Sequence, residues 1–381
     1  MKYVSEFRDP ALARSLAAAI AREADRPRSY AFMEFCGGHT HAIFRYGVPD
    51  LMPANVRFVH GPGCPVCVLP MRRLDDALEL AERHGVILCT YADMMRVPGS
   101  GRRSMLTARA AGADIRMVYS TLDALAIARA NPEREVVFMG LGFETTTPAT
   151  ALAILAAHKE GLANFSVFCN HVLTPPAIRH VLEAPDINPD EAVRLDGFLG
   201  PSHVSTVIGA ASYRPLVARF GKPVVIAGFE PLDVMQSVLM LLRQVNEGRA
   251  EVENQYTRVV TEDGNVRAQD AIETVFMLRD SFEWRGLGAV PQSARAIRPE
   301  YAAHDAEARF AISDKQSRET KSCECPSILR GVKQPQDCKL FAKACTPETP
   351  MGACMVSSEG ACAAHYTYRR TPSPEVLEAA E

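Results

Sequence analysis

The chain has 381 residues, of which 47% are hydrophobic and 23% are charged, and its formal net charge is −3. This length exceeds what one ordinary hydrophobic core spans, so we expect two or three domains. The slightly acidic balance argues against a nucleic-acid-binding protein, which needs a basic face. No apolar stretch approaches the roughly 20 residues of a membrane-spanning helix, so no membrane association is predicted.

The first ten residues, MKYVSEFRDP, contain acidic residues and a proline where a secretory signal would have an apolar segment. We therefore expect a cytoplasmic protein. Structural disulfides are rare in the cytoplasm, so the 11 cysteines are expected mainly to bind metal or to carry out redox chemistry.

Apolar residues at helical spacing predict an opening amphipathic helix at 6–24. Short apolar segments then alternate with helix-like segments that end at Gly or Pro. The predicted strands are 30–35, 56–60, 86–91, 115–120, 136–140, 165–170, 195–200 and 224–228. This alternation predicts an α/β fold with parallel sheets, in which functional sites lie in the loops after the strands.

The strand pattern restarts near residue 134 and becomes polar and helix-like beyond about residue 245. We therefore predict two parallel-sheet α/β domains, at 1–130 and 131–245. A smaller domain at 246–370 would hold an iron–sulfur cluster, and residues 371–381 would form a disordered tail.

Six cysteines lie within the last sixty residues: Cys323, Cys325, Cys338, Cys345, Cys354 and Cys362. Long, irregular gaps between thiols favour a four-iron cluster, because zinc ligands usually come as close pairs. The spacing Cys-x14-Cys-x6-Cys-x16-Cys gives one ligand set, and the surplus Cys325 and Cys354 would form a dithiol–disulfide couple beside it. Exchange of Cys325 for Cys323, or of Cys354 for Cys362, stays open, as does a zinc site with spare thiols.

Three further cysteines lie in glycine-rich loops near the N-terminus. Cys36 is followed by two glycines, which allow close approach to the backbone, and then by His39 and His41. Cys64 and Cys67 form a CxxC pair before a predicted helix, whose N-terminus would lower the thiol pKa. This spacing is typical of a redox-active dithiol. The alternative is half of a structural zinc site, completed by Cys36 and a histidine.

Polar residues follow several predicted strands and are candidates for the same site. Glu144 and Thr145 follow the strand at 136–140, His203 follows 195–200, and Glu230 follows 224–228. Glu144 and the threonines after it are equally consistent with a helix cap. The segment GLGFETTTP has no lysine of the phosphate-loop type, so nucleotide binding is not predicted.

Six segments resemble the HypD family of hydrogenase maturation factors. They are FCGGHTH, GPGCPVCV, GLGFETTTPATA, GPSHVSTVIG, AGFEPLDVMQS and PMGACMVSSEGACAAHY. These segments follow the family order along nearly the whole chain, from about residue 5 to 368.

The resemblance implies a protein that helps to assemble the iron centre of [NiFe]-hydrogenases. In this family HypD pairs with the small chaperone HypC, cyanide arrives through HypE, and iron carrying cyanide and carbonyl ligands passes to the hydrogenase large subunit. By the resemblance, Cys36 would hold that iron with a HypC cysteine, beside the redox pair Cys64 and Cys67. A [4Fe–4S] cluster would be bound by Cys323, Cys338, Cys345 and Cys362.

We expect electrons to pass from the cluster, through Cys325 and Cys354, to Cys64 and Cys67. Whether such a scaffold counts as an enzyme is left open, since its product stays bound until it is handed on. A stand-alone dithiol–disulfide oxidoreductase with an iron–sulfur cluster is the first alternative function. A zinc-stabilised interaction module is the second.

Overall fold

The computed structural model describes residues 5–187, 193–313, 317 and 322–368. Its strands, in chain order, are β1 (Tyr30–Glu34), β2 (Val56–His60), β3 (Ile87–Thr90), β4 (Ile115–Met117), β5 (Val136–Gly142), β6 (Phe165–His171), β7 (Gly197–Pro201), β8 (Val224–Ala227), β9 (Val252–Asn254), β10 (Phe276–Leu278), β11 (Ser281–Trp284), β12 (Gly288–Pro291) and β13 (Arg295–Ile297). Each of the eight predicted strands is present within a few residues of its expected bounds. The tail predicted at 371–381 lies outside the described residues.

The helices cover the sheets and begin at recognisable caps. They are α1 (Pro10–Glu23), α2 (Gly37–Arg45), α3 (Pro65–Val68), α4 (Met71–Arg83), α5 (Met105–Ala110), α6 (Thr121–Ala130), α7 (Thr147–Glu160), α8 (Thr174–Ile187), α9 (Ser202–Ile208), α10 (Arg214–Phe220), α11 (Pro231–Glu247), α12 (Val266–Val275), α13 (Ala306–Arg309), α14 (Cys325–Leu329) and α15 (Ala361–Tyr368). Asp9 caps α1, and Ser120 with Asp123 forms a capping box at α6. In the described part of the chain, no helix is long and apolar enough to cross a membrane.

Two parallel sheets form the framework, as the sequence predicts. The first has the strand order β2-β1-β7-β8-β9, and the second has the order β4-β3-β5-β6. Every residue of β5 and β6 is buried, as expected for strands covered by helices on both faces. On the first sheet, α1 and α11 pack together, and α11 lies against β7 and β8.

The sheets do not follow the predicted division at residue 130. After β2 the chain leaves the first sheet, builds the second from β3 to β6, and returns with β7, which pairs with β1 through Phe32 and Gly197. The boundary at 130 therefore does not separate the two sheets. Local hydrophobic patterns reveal strands, whereas the order of strands depends on pairing between distant segments, which those patterns do not encode.

The region at 246–370 contains short strands that its polar sequence does not predict. β9 joins the first sheet, β10 pairs with β13, and β11 pairs with β12. These last two pairs are antiparallel, and β11 ends at the buried Trp284, whose indole N–H donates to the Ser293 hydroxyl at 2.8 Å. The cysteine-rich segment then returns to the first sheet, where α15 packs against α2. Antiparallel strands and clustered cysteines are consistent with a small C-terminal domain.

Candidate functional site

A cavity of about 360 Å³ lies where strands of both sheets end. Loops that follow β1, β2, β3, β5 and β7 all contribute to its wall, together with the C-terminal segment. The lining residues are Phe35, Cys36, Gly63, Pro65, Val66, Tyr91, Ala92, Asp93, Leu141, Gly142, Phe143, Thr145, Thr146, Pro201, His203, Val204, Ser357 and Glu359. The carboxyl ends of parallel strands are the usual location of sites in open α/β sheets, and here two sheets share one such location.

Cys36 lies at the edge of this cavity, at the N-cap of α2, and is 6% exposed. Its Sγ is 3.7 Å from Nδ1 of His203, which also lines the cavity. Burial raises the pKa of the Cys36 thiol well above its usual range, and the carboxylate of Glu359 raises it further. The thiol is therefore held protonated until a cation or metal compensates the negative charge.

The glycines around Cys36 have no side chain, and this lets neighbouring segments of the protein approach closely. A Cβ at Gly37 would lie 2.3 Å from Cβ of Glu359, and a Cβ at Gly63 would lie 2.3 Å from the backbone nitrogen of Cys36. The amide of Gly37 donates to the Gly63 carbonyl oxygen at 3.1 Å. The loop that carries Cys36 is thus clamped between the loop after β2 and the C-terminal segment, so its thiol has a fixed position.

Cys64 and Cys67 form a disulfide at the start of α3, and both are buried. Pro65 and Val66, between the two cysteines, line the cavity. The disulfide form does not provide the pair of thiolates that a zinc half-site needs. The Sγ of Cys36 contacts His203, whereas His39 and His41 contact the Ala227 carbonyl oxygen and the Tyr368 hydroxyl.

His39 and His41 belong to α2 but do not line the cavity. His39 is fully buried, its Nε2 lies 2.8 Å from the Ala227 carbonyl oxygen at the end of β8, and burial lowers its pKa to about 4. A neutral His39 therefore donates to that carbonyl and anchors α2 to the first sheet. His41 is half-buried and lies 3.4 Å from the Tyr368 hydroxyl in α15. Both histidines connect elements that surround the site.

His203 is the histidine that faces Cys36. Its ring packs on Phe229 with 4.1 Å between the ring centroids, and the residue is exposed and lines the cavity. Partial burial lowers its pKa, so the imidazole is neutral near pH 7 and can accept a proton from a neighbouring thiol. Thr145 lines the same cavity.

Glu144 and Glu230 have other partners. Glu144 accepts hydrogen bonds from the Thr174 amide at 2.8 Å and the Thr174 hydroxyl at 3.1 Å, and so caps α8. Burial raises the pKa of Glu144 to about 7. Glu230 forms a two-point ion pair with Arg8 and lies at the N-cap of α11. Neither carboxylate is part of the cavity lining.

Two acidic residues of the cavity were not predicted from the sequence. Asp93 accepts a hydrogen bond from the Ser357 hydroxyl at 3.0 Å. Burial raises the pKa of Glu359, and the charge of Asp93 raises it further. Asp93 closely follows the predicted strand at 86–91, so the position of sites at strand ends could have identified it. Glu359 lies between two C-terminal cysteines and gives no such signal.

Five of the six C-terminal cysteines line one small pocket with apolar walls: Cys323, Cys325, Cys338, Cys345 and Cys362. Ile328, Leu340, Phe341 and Met355 supply the apolar part of its wall. Cys354 is fully buried and lies near Cys362, outside this lining. Cys325 therefore lies among the four expected ligands, and neither it nor Cys354 forms a disulfide.

Contact with Cys325 changes the acidity of two other thiols in this pocket. A hydrogen bond with Cys325 is the largest cause of the raised pKa of both Cys323 and Cys362, and burial adds to it. Soft sulfur donors in an apolar pocket fit an iron–sulfur cluster, which needs a thiolate on each of several irons. Among the described residues, no group of three or more possible ligands could hold a single metal ion. Cluster thiolates bind different irons and need not converge on one point.

The CxxC turn lies next to the segments that carry the surplus cysteines. α3 packs against α14, which begins at Cys325, and against residues 353–355, which include Cys354. Arg285 also holds the end of α3, because its amide donates to the Val68 carbonyl oxygen at 2.7 Å and its Nε to the Leu69 carbonyl oxygen at 3.1 Å. The two remaining cysteines, Cys89 and Cys169, are fully buried in apolar surroundings.

Fold and site together define an α/β protein with one buried thiol at the shared edge of two parallel sheets and a separate C-terminal group of thiols. The HypD family model, described as "Hydrogenase formation hypA family", matches residues 11–369. The chain is 63% identical over 370 residues to hydrogenase maturation factor HypD of Azotobacter vinelandii, covering 97% of each chain. It is also 63% identical over 370 residues to HypD of Rhizobium leguminosarum bv. viciae, covering 97% of this chain and 96% of that one.

The similarity extends to hydrogenase maturation factor HypD of Escherichia coli K12, at 47% identity over 380 residues that cover 98% of this chain and all of that one. The chain therefore belongs to the HypD family of hydrogenase maturation factors, as its motifs predict.

Proposed function

We propose that this maturation factor is a scaffold on which iron receives its cyanide and carbonyl ligands, with Cys36 as the protein thiolate that holds the iron. The position of the Cys36 thiol supports this proposal most directly. It lies at the edge of a cavity of about 360 Å³, to which both sheets contribute. Iron with small diatomic ligands fits such a space.

Proton transfer from Cys36 is the first step that iron binding requires. The Cys36 thiol gives up its proton when its sulfur bonds to the metal, and Nδ1 of His203, 3.7 Å away, is placed to accept it. Glu359 lines the same cavity with a pKa raised by burial, so in its protonated form it can donate a hydrogen bond to a cyanide nitrogen.

We propose that a [4Fe–4S] cluster is the resident cofactor and that its ligands are Cys323, Cys338, Cys345 and Cys362. When bound, the cluster supplies electrons. The nearby Cys64–Cys67 disulfide accepts two electrons and two protons to give two thiols. α3, which carries Cys67, packs against the segments that carry Cys325 and Cys354. This packing supports Cys325 and Cys354 as the route for electrons from the cluster to the disulfide.

The proposed partners are those of the HypD family. HypC would supply the second cysteine to the iron, HypE would donate cyanide, and the hydrogenase large subunit would receive the loaded iron through HypC, all in the cytoplasm. We expect HypC to contact this chain at the cavity that Cys36 lines.

Infrared spectroscopy of the anaerobic complex with HypC tests the iron scaffold. Bands of iron-bound cyanide and carbonyl are expected for the native chain and should vanish for Cys36→Ala, whereas visible absorbance from the cluster should persist. Cys89→Ala is the matched control, because this thiol is equally buried but lies in a separate apolar cluster. Cyanide bands that persist in Cys36→Ala, or loss of both signals together, would contradict two separate sites.

A stand-alone dithiol–disulfide oxidoreductase is the second candidate function, favoured by the Cys64–Cys67 disulfide. Its two cysteines are 3% and 0% exposed, which gives a protein substrate little access to either sulfur. Turnover of a protein disulfide by the purified chain alone would support this candidate over the scaffold. Metal analysis of anaerobically prepared protein decides against a zinc-stabilised module if it finds iron with acid-labile sulfide.

A further inference from the structure

A chain of buried polar side chains runs from the end of β1 to α15. His60 Nδ1 lies 2.8 Å from Oε1 of Glu34, and His60 Nε2 lies 3.0 Å from Nε2 of His365. Glu34, His60 and His365 are 0%, 2% and 5% exposed, respectively. Three ionisable groups in contact, all away from water, are costly to bury unless each has a partner, so the arrangement calls for an explanation.

The hydrogen bonds to Glu34 fix which group donates and which accepts at each step of this network. Its carboxylate also accepts from the Cys36 amide at 3.2 Å and from the Thr40 hydroxyl. The amide and the hydroxyl both donate to this carboxylate, so we assign His60 as its third donor, with the imidazole proton on Nδ1. Its bare Nε2 must then accept from Nε2–H of His365. Displacing His365 therefore weakens the hydrogen bond between His60 and Glu34. This in turn loosens the Glu34 carboxylate, which holds the Cys36 amide.

The two ends of this network belong to the two thiol sites. At one end is the backbone amide of Cys36. At the other is α15, which also carries Cys362, three residues before His365. Phe44 of α2 packs on both imidazoles, with centroid distances of 4.0 Å to His365 and 5.3 Å to His60. Within the described residues, this is a direct route from the C-terminal thiol pocket to the loop that carries Cys36.

We propose that Glu34, His60 and His365 are positioning residues that couple the two sites, so that a metal cluster bound at Cys362 stabilises the conformation of the Cys36 loop. This inference rests on the proposed function, since it takes Cys362 as a cluster ligand. Cluster binding orders α15, and α15 places His365 against His60. The coupling is reciprocal, because a free-energy link between two binding sites acts equally in both directions.

A purely structural role makes a different prediction. If the network only stabilised the fold, its loss would lower the free energy of unfolding with and without the cluster by the same amount. The reactivity of Cys36 would then depend on the cluster in the variants just as it does in the native chain. Coupling is therefore measured as the difference in Cys36 reactivity between protein that holds the cluster and protein from which the cluster has been removed.

The test compares the rate of Cys36 alkylation by iodoacetamide in full-length protein purified anaerobically without its partners, before and after the cluster is stripped with a chelator. Peptide mass spectrometry reads out Cys36 alone. We expect the cluster to slow alkylation of the native chain about tenfold, which equals about 1.4 kcal/mol. In His365→Phe, which keeps the ring beside Phe44 but removes the hydrogen bond, this cluster dependence should disappear.

Two further variants separate coupling from stability. Glu34→Gln has the same shape and turns an amide toward His60 or Cys36, so it should abolish the cluster dependence as well. His304→Phe is the matched control, because His304 is equally buried, with Nδ1 2.9 Å from the Phe165 carbonyl oxygen, but contacts neither thiol site. It should lower stability and keep the native dependence.

The outcomes distinguish this inference from the proposed function. Native protein without visible absorbance or acid-labile sulfide would overturn the proposed cluster and the inference with it. Cluster present, but Cys36 alkylation equal in loaded and stripped native protein, would overturn the inference alone. The coupling is likewise refuted if His365→Phe and Glu34→Gln both retain the native cluster dependence.

Discussion

Replacing Gly63 with alanine should destabilise the protein and displace the Cys36 thiol. An added Cβ would lie 2.3 Å from the backbone nitrogen of Cys36 and 2.6 Å from its Cα. Backbone atoms cannot turn aside as the end of a side chain can. Overpacking typically costs about 1–3 kcal/mol, so we expect the upper end, about 3 kcal/mol. For a chain of 381 residues this corresponds to a Tm decrease of roughly 6 °C, at about 2 °C per kcal/mol.

Gly200→Ala is the matched control for this change. The two atoms nearest to its added Cβ would both be side-chain carbons, Val224 Cγ1 at 3.1 Å and Ile226 Cγ1 at 3.3 Å. Both glycines have backbone angles that alanine tolerates, so the entropy that alanine removes from the unfolded chain cancels in the comparison. Gly200→Ala should therefore change the free energy of unfolding by less than about 1 kcal/mol.

Thermal unfolding under anaerobic conditions measures the stability effect, and infrared bands of the complex with HypC measure iron binding at Cys36. We expect Gly63→Ala to lose most of the iron–cyanide signal even below its unfolding temperature. A variant with native Tm and native infrared bands would refute the idea that a clamped loop positions the thiol.

Three other substitutions test the electrostatics and the separate roles of the histidines. Burial raises the pKa of Glu144 from 4.5 to about 7, so the folded state binds this proton more tightly than the unfolded state. Its contribution to stability is complete below about pH 4.5 and is lost as pH rises through about 7. This fall in the free energy of unfolding amounts to up to about 3 kcal/mol. Glu144→Gln should flatten it in denaturant titrations from pH 5 to 8. His39→Ala should lower the free energy of unfolding by about 2 kcal/mol, since it strands the buried Ala227 carbonyl. His203→Ala should leave stability nearly unchanged but slow iron loading; equal Tm decreases for the two histidine variants would contradict their assigned roles.

Sequence patterns predicted the elements of this fold better than their arrangement. Strands such as β5 and β6 are continuous apolar runs next to helix signals, and such local patterns identify a parallel α/β fold. The pairing of β1 with β7 joins residues more than 160 positions apart, as in Phe32 with Gly197, and no local pattern encodes it. β10 to β13 have three or four residues each, too few for an alternating pattern to stand out.

The candidate site was predictable where chemistry is local in the chain. The two cysteines of CxxC are three residues apart, and Cys36 precedes a conspicuous Gly-Gly turn. The contact of Cys36 with His203 is a tertiary one, and the choice of His203 over His39 depends on which way α2 faces its sheet. Glu359 and the His60–His365 pair come together only through folding, the latter across 305 residues.

The excursion of the chain from the first sheet to the second and back also determines when the proposed iron site can form. Cys36 is made before its neighbour β7, which follows about 160 residues later, and before Glu359, which follows 323 residues later. At the roughly 5–20 residues per second of translation, the emerging thiol waits many seconds for its surroundings. A nascent chain therefore offers no finished pocket to stray metal ions until both β7 and Glu359 have been made.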